Sequence, residues 1–144
     1  MNRRSGFTLV ELVVVVLILG ILAVVALPKV INNSVAAKES AATTSLSSIR
    51  DAVELYRSQA NGFLPSSDNQ TNFKRDLDPY LRGSTFPKSP APDKVNNNVK
   101  IVATTGTLAS TGDAEGWLYS SSTGELIINS SQKMADGSTE YDDL

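Results

Sequence analysis

An uninterrupted apolar run near the start of the chain constrains its fold more than any other feature. Every residue from Leu12 to Leu27 is apolar or glycine, so a helix here has no polar face and must be covered by lipid or by a large protein core. The 21 residues from Phe7 to Leu27 measure roughly 32 Å as an α-helix, about the thickness of a bilayer core. The rest of the chain is short for enclosing such a helix on all sides. The run therefore predicts a membrane-spanning segment rather than an internal core helix.

The residues that flank the run set its expected orientation. Arg3 and Arg4 precede it, and basic residues favour the cytoplasmic side of a membrane. We therefore expect a cytoplasmic N-terminus and the bulk of the chain across the membrane. A cleaved secretory signal peptide is the competing interpretation, but it needs a short apolar core and a small-residue cleavage site of the A-x-A type. The sequence at 26–29, Ala-Leu-Pro-Lys, does not supply such a site.

Composition excludes several classes of function. The chain has 144 residues, a net charge of −2, and neither cysteine nor histidine. Disulfides, thiol nucleophiles, Cys/His zinc sites and histidine bases are therefore excluded. A nucleic-acid partner is not expected, because the chain has no strongly basic footprint. The sequence shows neither a nucleophile–base motif nor a glycine-rich phosphate loop, so we do not expect an enzyme.

Glu11 is a lone carboxylate at the start of the apolar run. A carboxylate deep in hydrocarbon costs a few kcal/mol by insertion scales, so it should have a partner. Either Glu11 lies near the cytoplasmic edge and reaches the lipid headgroups, or another chain supplies the partner. The residues alone leave both interpretations open.

The sequence Gly6-Phe7-Thr8-Leu9-Val10-Glu11 resembles the processing site of the type IV pilin family, which includes the pseudopilins of type II secretion systems. In that family a membrane-embedded aspartyl peptidase cuts after the glycine and methylates the new N-terminus. The resemblance thus implies cleavage between Gly6 and Phe7, with Phe7 N-methylated. Gly20 and Pro28 also lie where the family has a helix-weakening glycine and proline, and unwinding there during assembly is implied.

The resemblance also implies an assembly role for Glu11. Cleavage would give Phe7 a positive α-amino group, about one helical turn from Glu11. In one subunit the two charges can partly neutralise each other, and in a filament Glu11 can meet the Phe7 amine of a neighbour. An unpaired charge in low dielectric is costly, so this contact would select one docking register.

Beyond Pro28 the sequence predicts an amphipathic continuation of the same helix. Its apolar stripe has helical spacing and comprises Val35, Ala42, Leu46, Ile49, Val53, Tyr56 and Ala60. Asn61-Gly62 ends the pattern, so one helix is expected from Phe7 to about Gln59, about 80 Å long. The expected division is a leader (1–6), a transmembrane and assembly half of the helix (7–28), an amphipathic half (29–60) and a head (61–144).

The head is expected to pair a small sheet with this helix. A short helix is predicted over Thr71–Leu81, and an irregular proline-rich loop over Thr85–Asn98. Strands are predicted at residues 99–103, 116–120 and 125–129, the last two around a Ser-Ser-Thr-Gly turn. The predicted fold class is α+β: a long N-terminal helix packed on a three-stranded antiparallel sheet. Trp117 is interpreted as a core or sheet-face residue rather than a ligand platform.

The acidic C-terminal stretch is a candidate calcium site. Oxygen-rich loops suit Ca²⁺, and the stretch also resembles the C-terminal calcium loop of major pseudopilins. That match implies Asp136, Asp142 and Asp143 as side-chain ligands. A solvated acidic terminus is the alternative.

The resemblance favours a structural subunit that polymerises through its N-terminal helix, with a type II secretion pseudopilus as the expected filament. A type IV pilus subunit is the first alternative, although surface pilins commonly carry a disulfide-bounded loop and this chain lacks cysteine. A monomeric membrane-tethered binding module is the second. The implied partners are further copies of the chain, minor pilin-like subunits, the prepilin peptidase, an assembly ATPase, an inner-membrane platform protein and membrane lipid. The expected location is the bacterial inner membrane, as a single-pass protein with a periplasmic head, and then the filament.

Overall fold

A long helix, a short helix and a small sheet make up the protein. The computed structural model describes residues 6–83 and 85–144, and the side chains of residues 25–33 lie outside that description. The elements are α1 (Leu9–Gln59), α2 (Gln70–Leu77), a 3₁₀ turn (Asp78–Tyr80), β1 (Val99–Val102), β2 (Trp117–Ser120), β3 (Leu126–Ile128) and a second 3₁₀ turn (Tyr141–Asp143). The predicted α+β class is confirmed.

The chain divides by its contacts into two units, Met1–Ala36 and Ala37–Leu144. The division falls inside α1. The four-part division expected from the sequence stays a prediction.

The C-terminal end of α1 lies where the sequence predicts it. Asn61 has a φ of 53° and Gly62 a φ of 90°, and the Gly62 N–H donates to the Arg57 carbonyl at 2.8 Å. This six-to-one hydrogen bond with a left-handed residue before it is a Schellman motif, which satisfies a carbonyl that the helix leaves unpaired. The helix therefore ends at Gln59 because the next residues reverse the chain.

The predicted apolar stripe of α1 is the face that contributes to the core. Ala42, Leu46, Ile49 and Val53 are buried. Val35, Tyr56 and Ala60 are half-buried. Ala52 is also buried, which widens the stripe beyond the predicted positions.

α2 is the predicted short helix and is fixed at both ends. The Asn69 side-chain oxygen accepts from the N–H groups of Thr71 and Asn72, both at 3.0 Å, as expected of an N-cap. Pro79 lies in the 3₁₀ turn that follows, where its ring prevents further α-helix. Phe73 and Leu77 are buried.

The sheet has the order β1-β2-β3, and its pairing corrects the antiparallel prediction. β2 and β3 are antiparallel, with Tyr119 opposite Leu126, but β1 and β2 are parallel, with Val99 opposite Trp117. A parallel pair needs a connection long enough to return the chain to its starting end, and residues 103–116 provide it. The sheet is therefore mixed.

The two faces of the sheet are covered by different parts of the chain, because side chains alternate along a strand. The main core takes Trp117, Tyr119, Leu126 and Ile128 together with residues of α1 and α2. On the other face, Leu118 and Ile127 pack with Leu108 of the long connection. Trp117 is fully buried and its Nε1 donates to the Pro87 carbonyl at 3.0 Å, which confirms it as a core residue.

Candidate processing and assembly site

The N-terminal end of α1 is closed by two reciprocal hydrogen bonds between Thr8 and Glu11. The Thr8 hydroxyl oxygen accepts from the Glu11 backbone N–H at 3.3 Å, and Glu11 Oε2 accepts from the Thr8 backbone N–H at 3.5 Å. This is a capping box, which pairs two N–H groups that a helix start leaves without partners. Its sequence signal is Thr-x-x-Glu before an apolar run. Sequence reasoning treated Glu11 as an isolated carboxylate and missed this signal.

Phe7 lies outside the helix, which corrects the predicted start. α1 begins at Leu9 rather than at Phe7, because Thr8 acts as the cap. The Phe7 nitrogen and Glu11 are therefore not one turn apart on a common helix in the uncleaved chain. Glu11 instead lies in the first turn of α1, where the helix dipole favours a negative charge. The pairing of Glu11 with a Phe7 amine stays a prediction.

The peptide bond predicted to be cleaved joins two exposed, non-helical residues. Gly6 and Phe7 both lie before α1, and the Phe7 side chain is 80% exposed. A Cβ added to Gly6 would meet nothing within 4 Å, so the packing of this chain does not require glycine there. The geometry leaves the bond accessible. Arg3 and Arg4 of the predicted leader lie outside the described residues.

The first turns of α1 carry an apolar surface on every side. From Leu9 to Val24 the large apolar side chains are between 46% and 79% exposed. Soluble monomers rarely expose so large a continuous apolar patch, and such patches mark interaction with protein or membrane.

In the described part of the chain, no helix combines the length and apolarity needed to cross a membrane. The predicted span reaches residues 25–28, whose side chains lie outside the described residues.

Gly20 lies in the N-terminal, apolar part of α1, and a Cβ added there would meet nothing within 4 Å. Packing within the chain therefore does not explain a residue that weakens a helix by about 1 kcal/mol relative to alanine. Pro28 also falls within the bounds of α1, but its side chain is outside the description. Their predicted softening role is untested.

The three predicted calcium ligands each make hydrogen bonds with different partners. Asp136 accepts from the Thr139 hydroxyl and from the backbone N–H groups of Ser138 and Thr139. These bonds, with that from the Thr139 hydroxyl foremost, hold the pKa of Asp136 well below its usual value. Asp142 Oδ2 accepts from the Ser110 N–H at 2.8 Å. Asp143 accepts a long hydrogen bond, 3.4 Å, from the Glu140 N–H.

These carboxylates do not converge. Among residues 6–83 and 85–144, no three Asp or Glu side chains form a group that could hold a metal ion. Asp142 Oδ1 is buried without a hydrogen-bond partner in that part of the chain, whereas both oxygens of Asp136 are engaged in its own turn. The described geometry does not assemble the predicted ligand set, and calcium binding stays a prediction.

Comparison with known proteins begins at the N-terminal segment. Residues 1–27 match the family described as the prokaryotic N-terminal methylation motif. The type II secretion system core protein G of Vibrio cholerae is 37% identical over 68 residues, which are 47% of this chain and 46% of that protein. The type IV major pilin protein PilA of Myxococcus xanthus is 35% identical over 81 residues, 50% of this chain and 37% of that protein.

A longer similarity extends into the second unit. A fimbrial protein of Pseudomonas aeruginosa is 30% identical over 109 residues, which are 74% of this chain and 71% of that protein. The chain belongs to the pilin and pseudopilin family. This pilin-family chain spans less than half the length of several curated relatives that it matches. No solved structure matches it.

Membership of the family places the chain among pilin-like filament subunits rather than in a family of enzymes. For this pilin-family chain the capping box, the exposed Gly6–Phe7 bond and the apolar part of α1 therefore lie together in the segment that carries the family motif.

Proposed function

We propose that the chain is a structural subunit that polymerises through the apolar part of α1 into a helical filament, the pseudopilus of a type II protein secretion system. One observation carries the proposal: the apolar side chains of Leu9–Val24 are exposed all around the helix. Such a surface must be covered, by lipid before assembly and by the same segment of other copies afterwards.

Processing prepares the segment for assembly. In the proposed sequence a prepilin peptidase cuts between Gly6 and Phe7 and methylates the Phe7 nitrogen. The chain waits in the inner membrane with its N-terminus cytoplasmic and its head periplasmic. Removing the leader takes away Arg3 and Arg4 and leaves a single positive charge on Phe7, next to the capped start of α1.

The new amine of one copy then meets Glu11 of its neighbour. In a low-dielectric bundle of apolar helices an unpaired charge is costly, and a misplaced subunit would leave both charges unpaired. The contact therefore selects a register more than it adds net stability. The capping bond that Glu11 accepts from the Thr8 N–H is long at 3.5 Å and hence weak, so it hinders this contact little.

Assembly requires an external source of energy and a stretch of the helix that can bend. A cytoplasmic ATPase and a membrane platform protein are proposed to supply the work of extracting the helix from lipid, and minor pilin-like subunits to start the filament. Gly20 and Pro28 lower the helical stability of the 20–28 stretch. We assign to that stretch the bending that extraction and filament extension require.

Three substitutions test the proposal in cells that carry the complete secretion machinery. Glu11→Gln removes the charge but keeps a side chain that can accept the capping hydrogen bond, and it should reduce filament number strongly. Glu125→Gln, in the turn that joins β2 to β3, is the matched control and should assemble normally. Replacing Gly6 by Ser should leave an uncleaved precursor that keeps Arg3 and Arg4. Normal filaments from Glu11→Gln would refute the pairing role, and normal filaments from uncleaved Gly6→Ser would refute the processing step.

A surface type IV pilus is the second candidate, favoured by the similarity to the fimbrial protein over 74% of this chain. Deleting the gene distinguishes the two candidates. Loss of exoprotein release in the deletion strain, together with filaments confined to the periplasm in wild-type cells, supports the pseudopilus. Extended filaments on sheared wild-type cells, with exoprotein release intact in the deletion strain, support the pilus.

A further inference from the structure

A shallow groove runs along α2, beside the loop that follows it. We call it the α2 groove. Its lining residues are Thr71, Lys74, Arg75, Asp78, Thr85, Phe86 and Asn97. The proposed filament role uses none of them.

The Lys74 ammonium is held in a fixed position at the groove. Its Nζ donates to Gln70 Oε1 at 3.1 Å and lies 5.8 Å from the centre of the Phe86 ring. Gln70 Oε1 also accepts from the Val99 N–H at 3.2 Å, which ties the glutamine to β1. Lys74 therefore has a cation–π contact on one side and an anchored amide on the other.

The ring beneath Lys74 is itself rigidly packed. Phe86 is 3% exposed and makes edge contacts with Phe73 and Trp117, at centroid distances of 6.0 and 6.4 Å. Because both neighbours belong to the core, Phe86 offers a preformed wall rather than a mobile side chain.

Lys74 lacks the carboxylate that a half-buried cation normally has. Every Asp and Glu of the chain lies in the described residues, and none of their oxygens is within 4.0 Å of Lys74 Nζ. Burial lowers the pKa of Lys74, since the charged form is desolvated without an opposing charge. An ammonium has three donors, and Gln70 uses one.

The neighbouring groups in the groove complement an anion. Arg75 is largely exposed and its contact with the Asp76 carboxylate is long, 3.6 Å. Thr71 and Asn97 add a neutral hydroxyl and an amide donor, whereas the Thr85 hydroxyl donates to the Gly83 carbonyl. Asp78 brings one carboxylate, which would oppose an anion.

We propose that the α2 groove binds a small oxyanion, either a phosphoryl group or the carboxylate of an acidic sugar. Lys74 and Arg75 are the charged donors. The rigid Phe86 face holds Lys74 in place and excludes water from one side of the ion. The bound anion supplies the counter-charge that the fold does not give to Lys74.

Titration of the isotope-labelled full chain in non-ionic detergent tests this proposal. Inorganic phosphate is added at constant ionic strength, balanced with chloride, and the amides of the groove and the Lys74 Nζ signal are followed by NMR. We expect saturable shifts confined to the groove. Lys74→Met should weaken phosphate binding about tenfold or more, as expected when a hydrogen bond to a charged group is lost. Glucuronate, with neutral glucose as its control, separates a sugar acid from a phosphoryl group as the preferred ligand.

Two further variants and one control keep the outcome decisive. Lys88→Met removes an exposed lysine outside the groove and should leave the affinity unchanged. Lys74→Arg keeps the charge and should bind within a few fold of wild type. Asp78→Asn removes the carboxylate that opposes an anion and should tighten phosphate binding. This test does not depend on whether the Lys74 variants fold. The proposal is overturned by shifts that fail to saturate with both anions, or by equal affinities in wild type, Lys74→Met and Asp78→Asn.

Discussion

Glu11 shows how one side chain can serve two states of the same molecule. In the uncleaved chain it caps α1 by accepting from the Thr8 N–H, and it has no charged neighbour in the described residues. Cleavage at Gly6 would place a cation on the residue next to Thr8. The carboxylate that caps the helix start would then also be the carboxylate nearest in sequence to the new positive charge.

The capping box makes a prediction at Thr8. Replacing Thr8 by Ala removes the hydroxyl that accepts from the Glu11 N–H, and an N-cap of this kind contributes about 1 kcal/mol. We expect hydrogen exchange at the Glu11 amide to accelerate about fivefold in the detergent-solubilised full chain. Thr8→Ser keeps the hydroxyl and should exchange like wild type. Equal exchange rates in all three proteins would show that the capping box is not formed.

Tyr119 carries a polar group that the core leaves unpaired. Its ring is fully buried and packs 4.4 Å from Phe73, but its hydroxyl has no hydrogen-bond partner among the described residues. Burial raises the pKa of this phenol. A buried, unpaired hydroxyl carries a desolvation penalty, of about 1–3 kcal/mol.

Tyr119→Phe should therefore leave the free energy of unfolding unchanged or raise it by up to about 1 kcal/mol. Trp117→Phe is the contrasting change on the same strand, because it removes the donor to the Pro87 carbonyl and leaves a cavity, and it should destabilise by about 2 kcal/mol or more. Denaturant unfolding of both variants measures the difference. Destabilisation by Tyr119→Phe as large as that by Trp117→Phe would reveal a partner for the hydroxyl.

At the scale of elements, local sequence signals were sufficient to predict the end of α1 and its buried face. They were not sufficient to predict how the strands pair. The end of α1 follows from Asn61-Gly62, and its buried stripe follows from helical spacing. The end of α2 was predicted at Leu81 but lies at Leu77, because Pro79 follows and cannot continue the helix. The Thr-x-x-Glu cap is also a local signal, since this spacing before an apolar run is typical of a helix start. The parallel pairing of β1 with β2 depends on how residues 103–116 cross the sheet, and no local pattern encodes that path. The hydrogen bond that Asp142 accepts from Ser110 likewise joins residues 32 positions apart, whereas Asp136 and Asp143 bond within their own turns.

The turn between β2 and β3 makes a prediction at Gly124. Its φ is +81°, and a Cβ there would lie 2.7 Å from Leu64 Cδ2. Gly124→Ala combines a left-handed backbone with a steric clash, so it should lower the free energy of unfolding by about 2 kcal/mol or more. Gly112→Ala shares the positive φ, +74°, but meets nothing within 4 Å, and should lose only about 1 kcal/mol. Denaturant unfolding measures both losses of free energy. Similar losses in the two variants would show that the Leu64 side chain moves aside at no cost in free energy.

The stability of the turn at 136–139 should depend on pH. Hydrogen bonds from the Thr139 hydroxyl and from two backbone N–H groups depress the pKa of Asp136 below the ordinary aspartate value of 3.8. A depressed carboxyl pKa adds stability above the unfolded value, and that stability is lost as the pH falls through the folded value. The turn should therefore be intact at neutral pH and still largely intact at pH 3.8, and it should loosen only at lower pH. The Asp136 Cγ chemical shift followed against pH measures the folded pKa. A midpoint at the usual Asp value would contradict these hydrogen bonds, and Asp136→Asn should remove the transition.

At the scale of the whole molecule, burial is distributed very unevenly between the two units. No residue of Met1–Ala36 whose side chain is described is buried, whereas the buried core residues of the described chain lie in Ala37–Leu144, from Ala42 to Tyr141. The second unit therefore covers most of its own large apolar side chains, although Leu55, Phe63 and Val95 are exposed. The first unit exposes the large apolar side chains of Leu9–Val24, a kind of surface that marks interaction with protein or lipid.

A single charge placed on each unit tests which surface makes that interaction. Val16 is 60% exposed on the apolar part of α1, and a lysine near the middle of a membrane helix costs roughly 2.5–3.5 kcal/mol. Val16→Lys should therefore lower the constant for partitioning into the membrane about a hundredfold and abolish filaments. Ser47→Lys puts the same charge on an exposed position of α1 in the second unit, and should change neither. Resistance of the protein to alkaline extraction from membranes and filament counts measure the two effects. If Val16→Lys remains in the membrane and polymerises as Ser47→Lys does, then the apolar surface of Leu9–Val24 is not the surface that lipid and neighbouring copies cover, and the filament proposal loses its physical basis.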